Sequence, residues 1–206
     1  MIVAVVDYGM GNLRSVAKAL EAVGATVCVS GKPEDLRRAD RIVLPGQGAF
    51  RDCMANLKAT GLVEVLDEEV RKKGKPFLGI CLGLQLLAEV SYENGEYKGL
   101  GWLPGQVRRL TVEDARLKLP HIGWNDVIFR GDTPLAAGIR KNPIFYFDHS
   151  YHFVCGNPEL TVATCDYGGH FTAAVQKDNL FAVQFHPEKS QEIGLRLTKN
   201  FLNWKF

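Results

Sequence analysis

The sequence predicts an α/β protein with an open, mostly parallel sheet flanked by helices, to which antiparallel hairpins are added. Two observations support this prediction. The first half of the chain alternates short apolar, β-branched runs with segments whose apolar residues recur at helical spacing, a pattern typical of a parallel sheet covered by helices. From about Tyr97 onward, glycines and prolines divide the chain into short strand-like pieces, as in antiparallel hairpins.

The individual elements follow from the spacing of the apolar residues. Continuous apolar runs predict strands over residues 2–6, 26–29, 41–44, 77–80 and 181–185. Helical stripes predict helices over 13–23, 62–70 and 191–204, and two shorter pieces, 106–110 and 125–129, predict hairpin strands. Because ligands bind at the carboxyl ends of parallel strands, the residues that follow these strands are the first candidates for a site.

The composition is that of one globular domain, which we expect to span residues 1–206. A chain of this length buries roughly 70% of its unfolded surface, and its 46% of apolar residues can form a core without disulfides. The net charge of +2 gives no reason to expect a nucleic-acid partner. No segment is apolar enough to predict a membrane span, and the N-terminus does not read as an export signal. We therefore expect a cytoplasmic protein without a membrane partner.

The cysteines and histidines do not predict a metal site. The five cysteines are an odd number without a CxxC pair, which suits neither a disulfide framework nor a zinc site. The histidines at 121, 149, 152 and 170 lack metal-ligand spacing. The segment DYGMGN at 7–12 resembles a dinucleotide fingerprint, but Arg14 stands at the third glycine position, and a turn capped by Asn12 explains the segment without a nucleotide. We expect no metal and no cofactor.

Cys81 is the first candidate for chemistry. It lies in GICLG at 79–83, between a predicted strand and a leucine-rich helical segment, which is the layout of a nucleophile elbow. The flanking glycines remove side chains that would collide in such a turn, and a helix N-terminus favours the reactive thiolate. Cysteine is also among the most often buried residues, so the motif alone leaves a purely structural role open.

A base and its orienting acid are predicted at FHPE, residues 185–188, which directly follows another apolar run. Pro187 favours an extended His186, and in an extended chain residues two apart face the same side, so Glu188 is expected beside the imidazole. A carboxylate in that place fixes the tautomer of a catalytic histidine. An exposed strand end with an incidental His-Pro turn is the alternative interpretation, and the elbow makes it the weaker one.

Acyl transfer by a cysteine also needs donors for an oxyanion. The backbone N–H of Leu82, directly after the nucleophile, is one candidate. The segment LPGQG at 44–48 offers others, because Gly46 and Gly48 let the backbone turn towards a ligand. A tight turn between strand and helix is the alternative for this segment.

Taken together, these motifs resemble those of the class I glutamine amidotransferases, whose glutaminase domain carries a Cys-His-Glu triad in the elements GxCxGxQ and HPE. The matching residues are GICLGLQ at 79–85 and HPE at 186–188. Further segments are similar to the glutaminase subunits of imidazole glycerol phosphate synthases of histidine biosynthesis, and they extend along essentially the whole chain: DYGMGNLRSV at 7–16, LPGQGAF at 44–50, PHIGWN at 120–125, HSY at 149–151 and FHPEKS at 185–190.

The resemblance implies a flavodoxin-like fold and the hydrolysis of glutamine to glutamate and ammonia without a cofactor. It also implies that Cys81 attacks the amide, that His186 transfers protons, that Glu188 orients His186, and that the backbone at 46–48 supplies the oxyanion strand. Gln85, Ser150 and Tyr151 would line the glutamine pocket. The ammonia would pass to a (βα)₈-barrel synthase subunit, which makes imidazole glycerol phosphate and an aminoimidazole carboxamide nucleotide. The implied interface residues are Asn12, Tyr146 and Lys189.

The sequence departs from the family pattern at Gln47, Leu84 and Asp148, where a small aliphatic residue, methionine and valine are usual. Three other functions remain open at this point. One is a glutaminase that serves another synthase, such as that for pyridoxal phosphate. Another is a stand-alone cysteine peptidase or γ-glutamyl hydrolase, and the third is a binding subunit that does not catalyse, against which the intact triad counts.

Overall fold

The computed structural model of the protein describes residues 1–112, 114 and 116–206. Six α-helices lie in this part of the chain: α1 (Leu13–Ala22), α2 (Pro33–Arg38), α3 (Phe50–Ala59), α4 (Leu62–Leu66), α5 (Leu82–Gln85) and α6 (Gln191–Asn203). A π-helical segment, Asp67–Lys72, continues α4, and 3₁₀ turns occupy Pro134–Ala136, Pro158–Leu160 and Pro187–Lys189.

The strands of the described residues form two sheets. They are β1 (Ile2–Val6), β2 (Thr26–Ser30), β3 (Arg41–Gly46), β4 (Phe77–Cys81), β5 (Val90–Ser91), β6 (Tyr97–Lys98), β7 (Gly105–Arg109), β8 (His121–Phe129), β9 (Ile144–His149), β10 (Tyr151–Cys155), β11 (Thr161–Asp166), β12 (His170–Lys177) and β13 (Leu180–Val183).

The larger sheet has nine strands in the order β2-β1-β3-β4-β13-β12-β11-β8-β9. Neighbours from β2 to β13 are parallel, and those from β13 to β9 are antiparallel. The parallel half has the 2-1-3-4-5 order of flavodoxin-like folds. A smaller sheet of four strands, β10-β7-β5-β6, lies beside it.

Helices cover both faces of the parallel half, because successive strand residues point to opposite sides. On one face, Ala4 and Val6 of β1 share a buried cluster with residues of α2, α3 and α4. On the other face, Val3 and Val5 share a second cluster with residues of α1 and α6. The smaller sheet packs into the first cluster through Val107 of β7 and Phe153 of β10.

The predicted fold class is confirmed, and the main sheet is more evenly mixed than expected, since its antiparallel half extends the parallel half. The predicted strands and helices are all present with small shifts of their ends. The piece at 125–129 is the second half of the longer β8, and the predicted helix at 62–70 divides into α4 and the π-helical segment. Helices α2 and α3 were not among the predicted elements. Helix α2 buries only Leu36, which gives no period, whereas Phe50, Cys53, Met54 and Leu57 of α3 recur at helical spacing and were a signal that the prediction omitted. In the described residues, none of the helices is both long and apolar enough to cross a membrane.

The candidate residues meet where β1, β3, β4 and β13 end. In the pairing of β3 with β4, Gly46 lies opposite Cys81, and the register of β13 with β4 ends at Val183 opposite Ile80, so His186 follows at the same edge. The backbones pack very closely here. A Cβ at Gly83 would overlap the carbonyl oxygen of Leu44, and one at Gly46 would lie 2.7 Å from the Cβ of Leu82. Only glycine permits this approach between α5 and β3.

We predict that Gly83→Ala lowers the free energy of unfolding by about 3 kcal/mol, since the added methyl group overpacks a rigid backbone contact. Gly101→Ala is the control, because that glycine has a φ of +66° but open space around its Cβ position. A side chain on left-handed backbone should lower the free energy of unfolding of Gly101→Ala by about 1 kcal/mol. Urea unfolding measures both values, and equal losses in the two variants would contradict the close-packing account.

Candidate active site

Cys81 lies on a strained turn between β4 and α5. Its φ of 54° and ψ of −110° are unusual for a residue with a side chain, and such a conformation costs about 1–3 kcal/mol. The glycines on both sides make the turn possible. A Cβ at Gly79 would lie 2.9 Å from the carbonyl oxygen of Gly83. The elbow predicted from the sequence is therefore present, and it presents a largely buried sulfur at the edge of the sheet.

His186 and Glu188 form a close pair, with 2.7 Å between Nδ1 and Oε1. Glu188 lies beside the imidazole as predicted, but the prediction that an extended chain places it there is wrong. His186 is extended, whereas Pro187–Lys189 forms a 3₁₀ turn, which bends the carboxylate back onto the ring instead of projecting it from a straight chain. Ser190 holds this turn, because its hydroxyl donates to the carbonyl of His186 at 2.6 Å.

The environment of His186 favours its charged form. Burial lowers the pKa of the imidazole, but the neighbouring Cys81 sulfur and the hydrogen-bonded Glu188 carboxylate outweigh burial and raise the pKa of His186 well above its ordinary value. A carboxylate can only accept, so Nδ1 carries the proton of this hydrogen bond and Nε2 is left for the sulfur. An imidazolium beside a cysteine stabilises the nucleophilic thiolate.

A cleft of about 380 Å³ opens over the sulfur. Among the residues expected at the catalytic centre and the glutamine pocket, seven line it: Gly48, Cys81, Leu82, Gln85, Ser150, Tyr151 and His186. Glu188 lies behind His186 and Gly46 lies beneath Leu82, so these two do not line the cleft. The sequence comparison singled out Gln47 and Asp148 as departures from the family pattern, and both contribute to its wall.

Four residues at the site are not among those predicted to form it, although Pro120 and His149 lie in the segments PHIGWN and HSY. Glu93, Pro120 and His149 line the cleft, and Gln184 lies 3.6 Å from the sulfur of Cys81. Glu93 reaches the cleft from the loop after β5, where it also accepts a hydrogen bond from the N–H of Phe50 at 2.8 Å. Glu93 follows a strand of only two residues, and so short a strand cannot be recognised from the sequence. Gln184 stands two residues before His186. This closeness in sequence to the predicted base was the signal that could have identified it as a site residue.

The polar network continues from His149, at the wall of the cleft, to the buried His121. His149 Nδ1 lies 2.9 Å from the carbonyl oxygen of Tyr151, and its Nε2 lies 3.2 Å from Nδ1 of His121. Because a carbonyl only accepts, Nδ1 of His149 is the donor, and Nε2 then accepts from His121. Burial lowers the pKa of His121 to about 4 and that of His149 to about 3, so both rings are neutral. Among the described residues, no group of three or more His, Cys, Asp or Glu side chains is placed to hold a metal ion.

The end of β3 and the residue that follows it are held at two carbonyls. The hydroxyl of Tyr8 donates to the carbonyl of Pro45 at 2.9 Å, and the thiol of Cys53 donates to that of Gln47 at 3.5 Å. In a planar trans peptide, N–H and C=O point in opposite directions. The N–H of Gly48 therefore points away from Cys53.

Tyr146 and Lys189, two of the residues expected at a subunit interface, lie next to the pair of His186 and Glu188. Lys189 Nζ is 3.7 Å from Oδ2 of Asp148 and 5.1 Å from the ring centre of Tyr146. Asn12 accepts a hydrogen bond from the N–H of Ser15, so it caps α1 as the sequence predicts. Trp124 packs edge-on against Tyr146 and is 49% exposed. An apolar surface thus borders the charged pair.

Comparisons with known proteins identify the family. The family model for glutamine amidotransferase class-I matches residues 4–204. The imidazole glycerol phosphate synthase subunit HisH of Aquifex aeolicus is 50% identical over 202 residues, which cover 98% of this chain and 96% of the relative. HisH 1 of Campylobacter jejuni is 47% identical over 201 residues, with 98% of this chain and 99% of the relative covered.

Solved structures share the fold at lower identity. A chain of PurLQS from Thermotoga maritima has a TM-score of 0.74 and 22% identity, with 98% of this chain and 97% of that chain covered. A crystal structure described as a glutamine amidotransferase has a TM-score of 0.72 and 21% identity, with 98% of both chains covered. Since the family model spans nearly all of the sequence and relatives match about half of its positions, the protein belongs to the class I glutamine amidotransferases, within the HisH family.

Proposed function

We propose that this chain is the glutaminase subunit of an imidazole glycerol phosphate synthase, with Cys81 as nucleophile, His186 as acid and base, and Glu188 as the residue that orients His186. The observation that supports this most directly is the hydrogen-bonded pair of His186 and Glu188 beside a cysteine on a strained elbow. The identity to HisH subunits supports the same conclusion.

In the first step, the thiolate of Cys81 attacks the side-chain amide carbon of glutamine. The negative charge that develops on the carbonyl oxygen needs preorganised donors. The N–H of Leu82 begins α5 and has no partner within the helix ladder. The N–H of Gly48, turned away from Cys53, is the second donor that we propose.

The charged His186 then gives a proton to the leaving nitrogen, and ammonia departs from a γ-glutamyl thioester. In the second step, neutral His186 takes a proton from water, which attacks the thioester and releases glutamate and the thiolate. Glu188 keeps the Nδ1 proton in place in both steps, so Nε2 performs each transfer. The net reaction is glutamine plus water to glutamate plus ammonia.

The cleft offers groups for the rest of the glutamine molecule. Glu93 is a carboxylate at the wall, and it suits the α-ammonium group. Oε1 of Gln85 is buried with no partner among the described residues, and it is an acceptor for a substrate N–H. Ser150 and Tyr151 complete the wall next to Gln85, and their hydroxyls and amides suit the α-carboxylate.

We further propose that ammonia passes to a (βα)₈-barrel synthase subunit that docks on the surface of Asn12, Tyr146 and Lys189. The relatives are named as subunits of imidazole glycerol phosphate synthase, which supports a partner for this chain. The exposed ring of Trp124 and side chain of Ile122 flank this surface. The identity to HisH subunits favours this partner over other ammonia-accepting synthases and over a stand-alone hydrolase.

The first prediction concerns the nucleophile. Cys81→Ala should lower glutamine hydrolysis, assayed with the synthase partner present, by about 10³-fold or more, because removal of a nucleophile leaves only binding and oxyanion stabilisation. Ammonia release measures the rate. Cys28→Ala, a half-buried free cysteine of β2, is the control and should retain full activity. Unchanged hydrolysis in Cys81→Ala would overturn the proposed mechanism.

The second prediction concerns the charge of His186. Glu188→Gln removes an anion that stabilises the imidazolium, so the pKa of His186 should fall towards its ordinary value. Glutamine hydrolysis should decrease by about 10²- to 10⁴-fold, since the ring loses its fixed tautomer. A pH titration of the imidazole by NMR gives the pKa. Glu192→Gln, an exposed change in the first turn of α6, should leave it unaltered, and an equal shift in both variants would argue against the pair.

The third prediction concerns the partner. Lys189→Ala should weaken binding of the barrel subunit about tenfold, or ~1.4 kcal/mol, because it removes the cation that lies 5.1 Å from the ring centre of the partly exposed Tyr146. Titration calorimetry measures the affinity. Lys58→Ala, at the far end of α3, is the matched control. Equal affinities for all three proteins would place the interface elsewhere.

A further inference from the structure

Gln184 is a buried amide that touches the sulfur of the proposed nucleophile. Its side chain is fully buried, and its Nε2 lies 3.6 Å from Sγ of Cys81. The residue follows β13, and its own N–H donates to the carbonyl of Ala173 at 2.8 Å. The backbone of Gln184 is therefore anchored to β12, and the side chain crosses to the end of β4.

The orientation of this amide is fixed by a chain of hydrogen bonds. Nε2 of Gln85 donates to the carbonyl oxygen of Tyr151 at 2.8 Å and to Oε1 of Gln184 at 3.1 Å. A backbone carbonyl only accepts, so the atom of Gln85 at this point must be its nitrogen. Oε1 of Gln184 consequently faces Gln85, and its NH₂ group faces Cys81.

A donor in this position acts differently on the two forms of the sulfur. A thiol is a weak acceptor, whereas a thiolate accepts charge-assisted hydrogen bonds that are roughly twice as strong as neutral ones. Burial strengthens the effect, because little water competes for the sulfur. The donor thus favours the thiolate. It reaches the sulfur from the stretch of chain after β13, which also carries His186.

We propose that Gln184 is a further catalytic residue of the glutaminase, whose side-chain N–H stabilises the thiolate of Cys81 before attack and again when the thioester is hydrolysed. Gln85 is the positioning residue that holds this N–H towards the sulfur. The inference rests on the proposed function, since it takes Cys81 as the nucleophile. If the amide of Gln184 only filled volume, methionine could replace it and the reactivity of the Cys81 sulfur would not change.

The test measures how the alkylation of Cys81 by iodoacetamide depends on pH in the intact protein. Peptide mass spectrometry distinguishes Cys81 from the four other cysteines. Gln184→Met keeps the length of the side chain and removes the donor. We expect the pH midpoint of Cys81 alkylation to rise by about one unit, which is a tenfold loss of thiolate below the midpoint. With the synthase partner present, kcat should fall about tenfold or more with little change in KM.

Gln176→Met is the matched control. Gln176 lies on β12, and its Oε1 accepts a hydrogen bond from Thr133 at 2.7 Å, away from the sulfur. This variant should keep the midpoint of the native protein. If Gln184→Met does not fold, Gln85→Met serves instead, because it frees the Gln184 amide to rotate and should raise the midpoint by a smaller amount.

An unchanged midpoint in a folded Gln184→Met protein, or in Gln85→Met where that variant must serve, would overturn the inference. Failure of the proposed function has a different signature. If Cys81 were not the nucleophile, Cys81→Ala would keep its glutaminase activity, while the alkylation midpoint of Cys81 would still respond to Gln184→Met.

Discussion

The contact between the elbow and the neighbouring strand is the constraint on which the site depends. The backbone of Gly83 lies against the carbonyl of Leu44, with no room for a side chain. This contact pulls α5 onto β3 and forces Cys81 into its unusual backbone conformation. The same contact brings the segment after β3 beside the sulfur. One approach of two backbones thus sets the positions of Cys81 and of the proposed oxyanion amides.

The polar groups around the sulfur form one connected system. The imidazole of His186 and the amide of Gln184 come from the short stretch of chain that directly follows β13, and Gln85 comes from α5. His186 is oriented by the carboxylate of Glu188 and Gln85 by the carbonyl of Tyr151, two groups that can only accept, and Gln85 in turn orients Gln184 by donating to its Oε1. Such groups define one arrangement of protons. The site is therefore preorganised for a charged sulfur, without a metal ion in the proposed reaction.

Much of the fold could be predicted from the sequence because the parallel half is built from strong local patterns. The buried runs of β1, β3 and β4 and the helical stripes of α1 and α6 were visible, and the strand ends located Cys81 and His186. Helix α3 was missed although Phe50, Cys53, Met54 and Leu57 recur at helical spacing. The 3₁₀ turn at Pro187–Lys189 escaped because proline permits both extended and turn geometry. His149 is placed by packing between distant strands, which no local pattern records, whereas Gln184 had a local signal in its place two residues before His186.

The most direct measurement is the identity of the covalent intermediate. The protein, in the presence of its synthase partner, can be mixed with isotope-labelled glutamine, quenched in acid during turnover and digested. The labelled peptide can then be sequenced by mass spectrometry. If the elbow presents the nucleophile, the γ-glutamyl label will be found as a thioester on the peptide that contains Cys81. A label on another residue, or glutamate released without any acylated Cys81, would contradict the account.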